Sequence, residues 1–347
     1  MSAPVALFVY NRADNTRKTL RALMANTLAP QTDLYVFSDG GRDEASWVAV
    51  KEVRAVLHET AEEVARARTL NSMTIVERPT NYYLERNVIK GINEVFQHHD
   101  TIIVLEDDIV TAPHFLEFMN TAFDMYRDDS RVMHVSGFTR IEETQLSARA
   151  CSLDPSRTFN FPLGPTGRLT LQELSTFNFQ FSTYFSPFMA GWGWGTWRDR
   201  WQQHFCHYQS CTEALNGLDP AILEAIEYGG VFPCLKHLDR HPIPWDLCWS
   251  LAIRRAGGLC LYPSRPLVRN IGLDSGTHYG FLPKWLVPLL QRYEYDREPY
   301  TGPITLTRQE PAVNPAIEAA MKEALTDWGI RYTWLGRLVR KIYHRFA

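Results

Sequence analysis

Apolar runs and amphipathic stretches alternate along the first 140 positions of the chain. Val5–Tyr10 is apolar almost throughout and predicts a buried strand, and Asn11-Arg12-Ala13-Asp14 after it predicts a loop and a helix start. Leu20 and Leu23, set among polar residues, suit a helix to about Ala25. Leu34–Phe37 and Met73–Val76 predict two further strands, separated by a charged helix through Glu63. Leu84, Val88, Ile92, Val95 and Phe96 recur at helical intervals, which predicts a packed helix over 83–98. Ile102–Leu105 reads as a short buried strand, Phe115–Tyr126 as a helix and Val132–Gly137 as one more strand. Repeated strand-then-helix order predicts an α/β fold with a mostly parallel central sheet and helices on both faces.

The pattern changes after about Arg140. Positions 141–182 lack helical periodicity, and the alternation Phe177-Asn178-Phe179-Gln180-Phe181 suits a hairpin or a long loop. Phe188–Trp201 is rich in Gly and Trp, Trp245–Arg255 has helical spacing, and Gly258–Tyr262 looks like a late strand. No repeat or low-complexity linker divides the chain. The expected organisation is a first lobe over 1–140, a smaller lobe of the same unit over 141–285, and a C-terminal extension over 286–347.

One strand end carries most of the chemical information. The apolar run Ile102–Leu105 leads directly into Glu106, Asp107 and Asp108. Three adjacent negative charges have no place inside a core, because burying them unpaired is very unfavourable. They are expected at the strand's carboxyl end, where open α/β sheets hold their ligands. Clustered carboxylates there suit a hard divalent cation and the phosphates it binds. A solvated acidic turn leading to a helix start is the plainer alternative. Two other strands also end in polar groups, at Tyr10-Asn11-Arg12 and at Ser38-Asp39-Gly40-Gly41. In a parallel sheet the three ends fall on one edge and could converge on a nucleoside diphosphate.

Composition narrows the setting. A net charge of −3 gives no basis for nucleic-acid binding through a globally basic surface. The six cysteines form neither a C-x-x-C pair nor a zinc-ligand pattern, as thiols in a reducing compartment would. The opening Met-Ser-Ala-Pro leaves no room for a signal peptide before the first strand, and no apolar stretch approaches the roughly 20 residues of a membrane span. A cytoplasmic protein is expected.

At the acidic triplet, followed by Ala112-Pro113-His114-Phe115, the chain resembles the N-acetylglucosaminyltransferase I family of nucleotide-sugar glycosyltransferases, whose fold is called GT-A. It is similar as well to bacterial sugar transferases with a Gly-Trp-Gly-Trp run. The resemblance extends to Leu34–Gly41, Gly191–Trp201, Trp245-Asp246 and the Ser275–Gly280 loop, in the same order. It implies a GT-A-type sheet, with a nucleotide-sugar-binding lobe over 1–140 and an acceptor-binding lobe over 141–285. Asp108 would ligate Mn²⁺ (or Mg²⁺), with Asp107 near the ribose and Glu106 near the donor sugar. Asp39 would accept a hydrogen bond from the uracil ring of a UDP-sugar, such as UDP-N-acetylglucosamine, with Tyr10 and Arg12 nearby. Asp246 would be the general base, and His278 would lie in a loop closing over the nucleotide. The chain has Tyr10-Asn11-Arg12 where the family has Cys-Asp-Arg, and its richer tryptophan run leaves the acceptor open.

The chemistry agrees. Inverting sugar transfer needs a base at the acceptor hydroxyl and a counter-charge for the departing diphosphate. Asp246 also reads as an ordinary helix-start carboxylate after Pro242-Ile243-Pro244. Trp192, Trp194 and Trp245 are candidate sugar or acceptor platforms, whereas Trp197 and Trp201 are expected to share the buried face of a helix. The pairs His98-His99 and His204 with His207 lack a matching third metal ligand and read as surface or packing residues. The expected activity is metal-dependent, inverting transfer to a glycan or lipid-linked oligosaccharide acceptor in polysaccharide biosynthesis. Two alternatives stand beside it. A sugar-nucleotidyltransferase would show a Gly-rich basic signature near the first strand, which Val5–Thr19 lacks, and a non-catalytic glycan-binding protein would not need an intact triplet.

The tail poses a separate question. Over about 331–346, Trp334, Leu335, Leu338, Val339, Ile342, Tyr343 and Phe346 fill one half of a helical wheel and Arg337, Arg340, Lys341, His344 and Arg345 the other. Such a helix suits peripheral contact with the inner face of a membrane, or docking on the protein itself. Liposome flotation of the full chain against a truncation after Gly329 distinguishes them: loss of flotation marks an anchor, and equal flotation rules it out.

Overall fold

The computed structural model describes residues 2–141, 181–231, 243–272 and 298–328. Its first part is a run of strand–helix units: β1 (Val5–Val9), α1 (Ala13–Met24), β2 (Asp33–Ser38), α2 (Glu44–Ala67), β3 (Ser72–Glu77), α3 (Tyr83–Val95) and β4 (Thr101–Glu106). The four strands are parallel, in the order β3-β2-β1-β4. Every residue of β1 is buried, as its unbroken apolar run requires. The start of α2 is fixed by a capping box, with the Asp43 carboxylate accepting from the Ser46 backbone N–H at 2.7 Å. Val88, Gly91, Ile92 and Val95 form the buried stripe of α3. Gly91 is required there, since a Cβ would lie 2.6 Å from the Phe8 ring and 2.9 Å from that of Phe37.

The sheet then continues through later segments. β5 (Ile109–Thr111) and α4 (Phe115–Tyr126) precede β6 (Val132–Ser136), and β7 (Thr183–Ser186) and β8 (Trp194–Trp197) follow. Three short helices come next, α5 (Arg198–His204), α6 (Cys211–Leu215) and α7 (Pro220–Ile226). α8 (Trp245–Arg255), β9 (Leu259–Pro263), β10 (Val268–Asn270) and α9 (Pro315–Trp328) complete the described elements. All but β5 and β10 join one sheet of order β3-β2-β1-β4-β8-β6-β9-β7. β8 is antiparallel to both β4 and β6, β9 is parallel to β6, and β7 is antiparallel to β9. The result is an α/β fold with a large, mostly parallel sheet flanked by helices. The strands after residue 140 extend the first lobe's sheet, with β7 and β8 running against β1–β4 and β9 running with them.

One apolar core runs from Ala3 to Leu325, and a smaller cluster around Tyr208, Ile226, Ile243 and Leu251 lies beneath α6 to α8. Residues 298–328 pack on the sheet through Tyr300, Ile304, Leu306, Ala320, Met321 and Leu325. Among the described residues no helix is long and apolar enough to cross a membrane. The basic tail helix and the expected hairpin at 177–180 lie outside the described residues.

The tryptophan–glycine run departs from expectation. Trp197 ends β8 while Trp201 sits on α5, so the two do not share a helix, although both are buried. Two of its glycines are tightly packed. Gly193 has φ +56°, and a Cβ on Gly195 would meet the Ile102 carbonyl oxygen at 2.4 Å and the Phe123 ring at 2.6 Å. β8 can lie between β4 and β6 only with no side chain at that point. Gly195→Ala is therefore expected to destabilise the protein by about 1–3 kcal/mol, the usual range for overpacking, as read from the midpoint of urea denaturation.

Candidate functional site

Register places the three polar strand ends side by side. Val9 of β1 lies opposite Ser38 of β2, and Phe8 lies opposite Glu106 of β4. Residues 10–12, 39–42 and 106–108 thus emerge together at the carboxyl edge of the parallel half, where strand order switches and ligands bind in such sheets.

Asp107 anchors this edge. Its side chain is 4% exposed, and both carboxylate oxygens accept from Arg12: Oδ2 from Nε at 3.2 Å and Oδ1 from Nη2. The Tyr10 backbone N–H also bonds this carboxylate, and the Asp107 carbonyl accepts from Thr19 Oγ1 at 2.9 Å. Asp107 is thus committed to Arg12. Arg12 reaches further, with Nη1 lying 3.0 Å from Asp108 Oδ2. The β5–β10 ribbon closes over Asp108, whose carbonyl accepts from the Ile271 N–H at 2.8 Å.

Glu106 is partly buried between these groups. Burial, then the charges of Asp108 and Asp107, push its carboxyl up to about 8, against the pull of Arg12. Burial pushes Asp107 upward as well, opposed by Arg12. Asp246 is among the charges that raise Glu106, so the structure brings this residue of α8 to the acidic edge. It is exposed in the first turn of α8, with Oδ1 accepting from the Leu247 N–H at 2.8 Å.

An aromatic stack seats α8. Trp194 lies between His134 and Trp245, with ring centroids 5.2 Å away on either side and interplanar angles of 11° and 16°. Trp249 Nε1–H donates to His134 Nδ1 at 3.3 Å, so the opposite nitrogen of a neutral imidazole donates to the Ala190 carbonyl at 3.2 Å. Burial holds this histidine neutral, pushing it down to about 3. Trp194 is 0% exposed and Trp245 3%, so the sugar-platform expectation for both is corrected: they are core residues that position Asp246. Trp192 is half-buried, edge-on to Phe138 at 4.6 Å.

Asp39 is built into the backbone. Its Oδ1 accepts from Gly40 N–H at 2.9 Å and Tyr82 N–H at 2.7 Å, while burial pushes its pKa up. Asn81 Nδ2 donates to the Gly40 carbonyl at 2.6 Å. These bonds tie the loops after β2 and β3 together. Beside them Arg42 lies over two rings, 5.6 Å from the Tyr10 centroid and 5.1 Å from that of Tyr83. Tyr83 is 56% exposed and holds φ +60°, a conformation unfavourable for a bulky residue. Sequence reasoning missed Arg42 and Tyr83, because neither a positive φ nor the meeting of two loops leaves a mark in residue order.

His278 lies outside the described residues. His99 bonds Tyr35 Oη at 2.9 Å and His207 faces the Ile243 carbonyl at 3.3 Å, in keeping with packing roles. Among the described residues no group of three or more His, Cys, Asp or Glu side chains could hold a metal ion by itself. A hard cation that completes its shell with phosphate oxygens and water needs only one or two carboxylates from the protein.

No protein-family model matches the chain, and no curated protein matches it. Among solved structures it is similar to S. aureus TarS, at 14% identity over 39% of this chain and 21% of that one, with a TM-score of 0.27. Against S. aureus TarS 1-349 the identity is 14% over 39% of this chain and 34% of that one, with a TM-score of 0.28. The chain thus spans about a fifth of TarS and a third of its shorter form. The mannosyltransferase PcManGT from Pyrobaculum calidifontis, solved with GDP-Man and Mn²⁺, aligns over 96% of this chain and 87% of its own at 12% identity, with a TM-score of 0.38.

The raised Glu106 pKa has a measurable consequence. The folded state keeps a proton that the unfolded chain has released, so this stabilisation is full below the ordinary carboxylate range and is lost as pH rises through about 8. His134 acts oppositely, but only up to about pH 6.5, its unfolded value. Between pH 6.5 and 8.5 the unfolding free energy in urea is expected to fall by about 1–2 kcal/mol, and Glu106→Gln to remove most of that fall. An equally steep profile in the variant would assign the slope to another group.

Proposed function

We propose that the chain is a glycosyltransferase of the GT-A type, passing a sugar with inversion from a nucleotide-sugar donor to a hydroxyl of a glycan or lipid-linked acceptor. A UDP-sugar such as UDP-N-acetylglucosamine is the proposed donor, and Mn²⁺ or Mg²⁺ the proposed cofactor. One observation carries this reading: a single sheet edge gathers the aromatic rim of Tyr10 and Tyr83, the Arg12–Asp107–Asp108 charge cluster, Glu106 and, from a distant helix, Asp246.

Each group has work suited to its surroundings. Tyr10 and Tyr83 offer ring faces for a nucleobase, and Asp39 keeps the two loops beside them in place. The Arg12 guanidinium is a planar donor matched to phosphate oxygens. Glu106, whose carboxyl is pushed up by burial and by the charges of Asp108 and Asp107, stands where it can hydrogen-bond a sugar hydroxyl. Asp246, exposed and close enough to influence Glu106, takes the acceptor proton. A divalent cation held by Asp108 would supply neutralisation of the charge that develops on the departing diphosphate. Trp192 is the remaining aromatic candidate for the acceptor side.

A thermal-shift panel of nucleoside diphosphates, with and without Mn²⁺, tests the donor class: one of them should stabilise the protein selectively and in a Mn²⁺-dependent way. Asp108→Ala should lose the Mn²⁺ dependence. Asp246→Asn should keep the donor-induced shift while transfer, measured as nucleotide release in the presence of acceptor, drops roughly 10²–10⁴-fold. If no nucleotide shifts the wild-type protein, the donor-site reading fails; if Asp246→Asn transfers at full rate, the base lies elsewhere.

A further inference from the structure

The charge cluster divides into a fixed part and an exchangeable part. Arg12 meets Asp107 through a two-point fork, and the Asp107 side chain is only 4% exposed. Withdrawing Arg12 from that carboxylate would strand a buried charge, so this half of the contact is permanent. The third contact, Nη1 to Asp108 Oδ2 at 3.0 Å, lies nearer solvent, with side-chain exposures of 23% for Arg12 and 12% for Asp108. Gly272 presses on the same pair: a Cβ there would meet Asp108 Oδ2 at 2.0 Å and Arg12 Nη1 at 2.8 Å. Asp108 is thus enclosed by the ribbon backbone and already neutralised by the chain's own cation.

A divalent ion approaching Asp108 meets that guanidinium within a few ångström and is repelled by it. A diphosphate has the opposite effect. It is attracted to Arg12 and offers oxygens whose geometry suits the outward Nη1–H. We propose that Arg12 is the resident counter-ion of the acidic triplet and couples its two ligands: the diphosphate takes over the Nη1–H while the fork to Asp107 stays in place, and the Asp108 carboxylate, turned away from the guanidinium, then accepts the cation. The inference rests on the donor-site reading and adds to it an order of binding. The coupling is reciprocal, so the cation raises affinity for the diphosphate by the same factor. Without a donor, Asp108 stays paired with Arg12 and the cation is held weakly.

Mn²⁺ binding to the full chain, followed by the loss of the free-ion EPR signal, tests this without any activity measurement. Arg12→Gln alone leaves Asp107 bare and risks unfolding. The double variant Arg12→Gln/Asp107→Asn removes the fork while keeping net charge constant, so any gain at Asp108 comes from its release and not from added negative charge. Wild-type protein should bind Mn²⁺ alone weakly and roughly tenfold more tightly with saturating UDP or GDP, whichever the thermal-shift panel selects. The double variant should bind Mn²⁺ alone roughly tenfold more tightly than wild type, and its further gain on adding the diphosphate should be smaller than that of wild type once Mn²⁺ held by free nucleotide is subtracted. A double variant that binds Mn²⁺ no more tightly than wild type, or a wild-type affinity unchanged by the diphosphate, overturns the coupling. Absence of any nucleotide shift in the panel would instead remove the donor-site reading, so the two failures are separable.

Discussion

A carboxylate buried at the end of a core strand needs a counter-charge, and at Asp107 that charge is Arg12. The pair fixes more than itself. Arg12 stands immediately before α1, Tyr10 donates its backbone N–H to the same carboxylate, and Thr19 of α1 caps the Asp107 carbonyl. The ends of β1 and β4 and the first turns of α1 are therefore tied at one point. Glu106 and Asp108 flank that point and inherit their contrasting environments from it. Glu106 is left among negative charges and retains its proton, while Asp108 shares the guanidinium and faces the β5–β10 ribbon.

The parallel half was legible in the sequence because its elements are long and strictly patterned. Unbroken apolar runs make strands buried on both faces, and a 3.6-residue period places α3 over Phe8 and Phe37. The triplet's position at the strand end followed from the same logic, since unpaired charge cannot continue along a core strand. The second half resisted for physical reasons. β5, β8 and β10 have three or four residues each, too few to show a period. Glycine and tryptophan in β8 resemble a ligand platform, yet Gly195 admits the Ile102 carbonyl and Trp194 is enclosed on both faces. The Asp39 bond to Tyr82 joins loops some forty residues apart, which only the fold reveals.

His134 shows how a polar residue can be wholly structural yet serve the site. Its two nitrogens are matched to an indole N–H and a backbone carbonyl, which leaves no group unpaired. The stack it begins passes through Trp194 to Trp245, the residue before Asp246. The first turn of α8, which carries Asp246, thus rests on flat rings packed behind it.

The antiparallel insertion of β8 bears on how the chain is made. Strands β1 to β4 find one another within the first 106 residues, through neighbouring strand–helix units whose closure is quick. The free margin of β4 must wait much longer, because Thr101 pairs with Trp197. During synthesis, a flat apolar border therefore stands open while some ninety further residues leave the ribosome, and that interval is when a nascent chain is most exposed to mispairing with its neighbours.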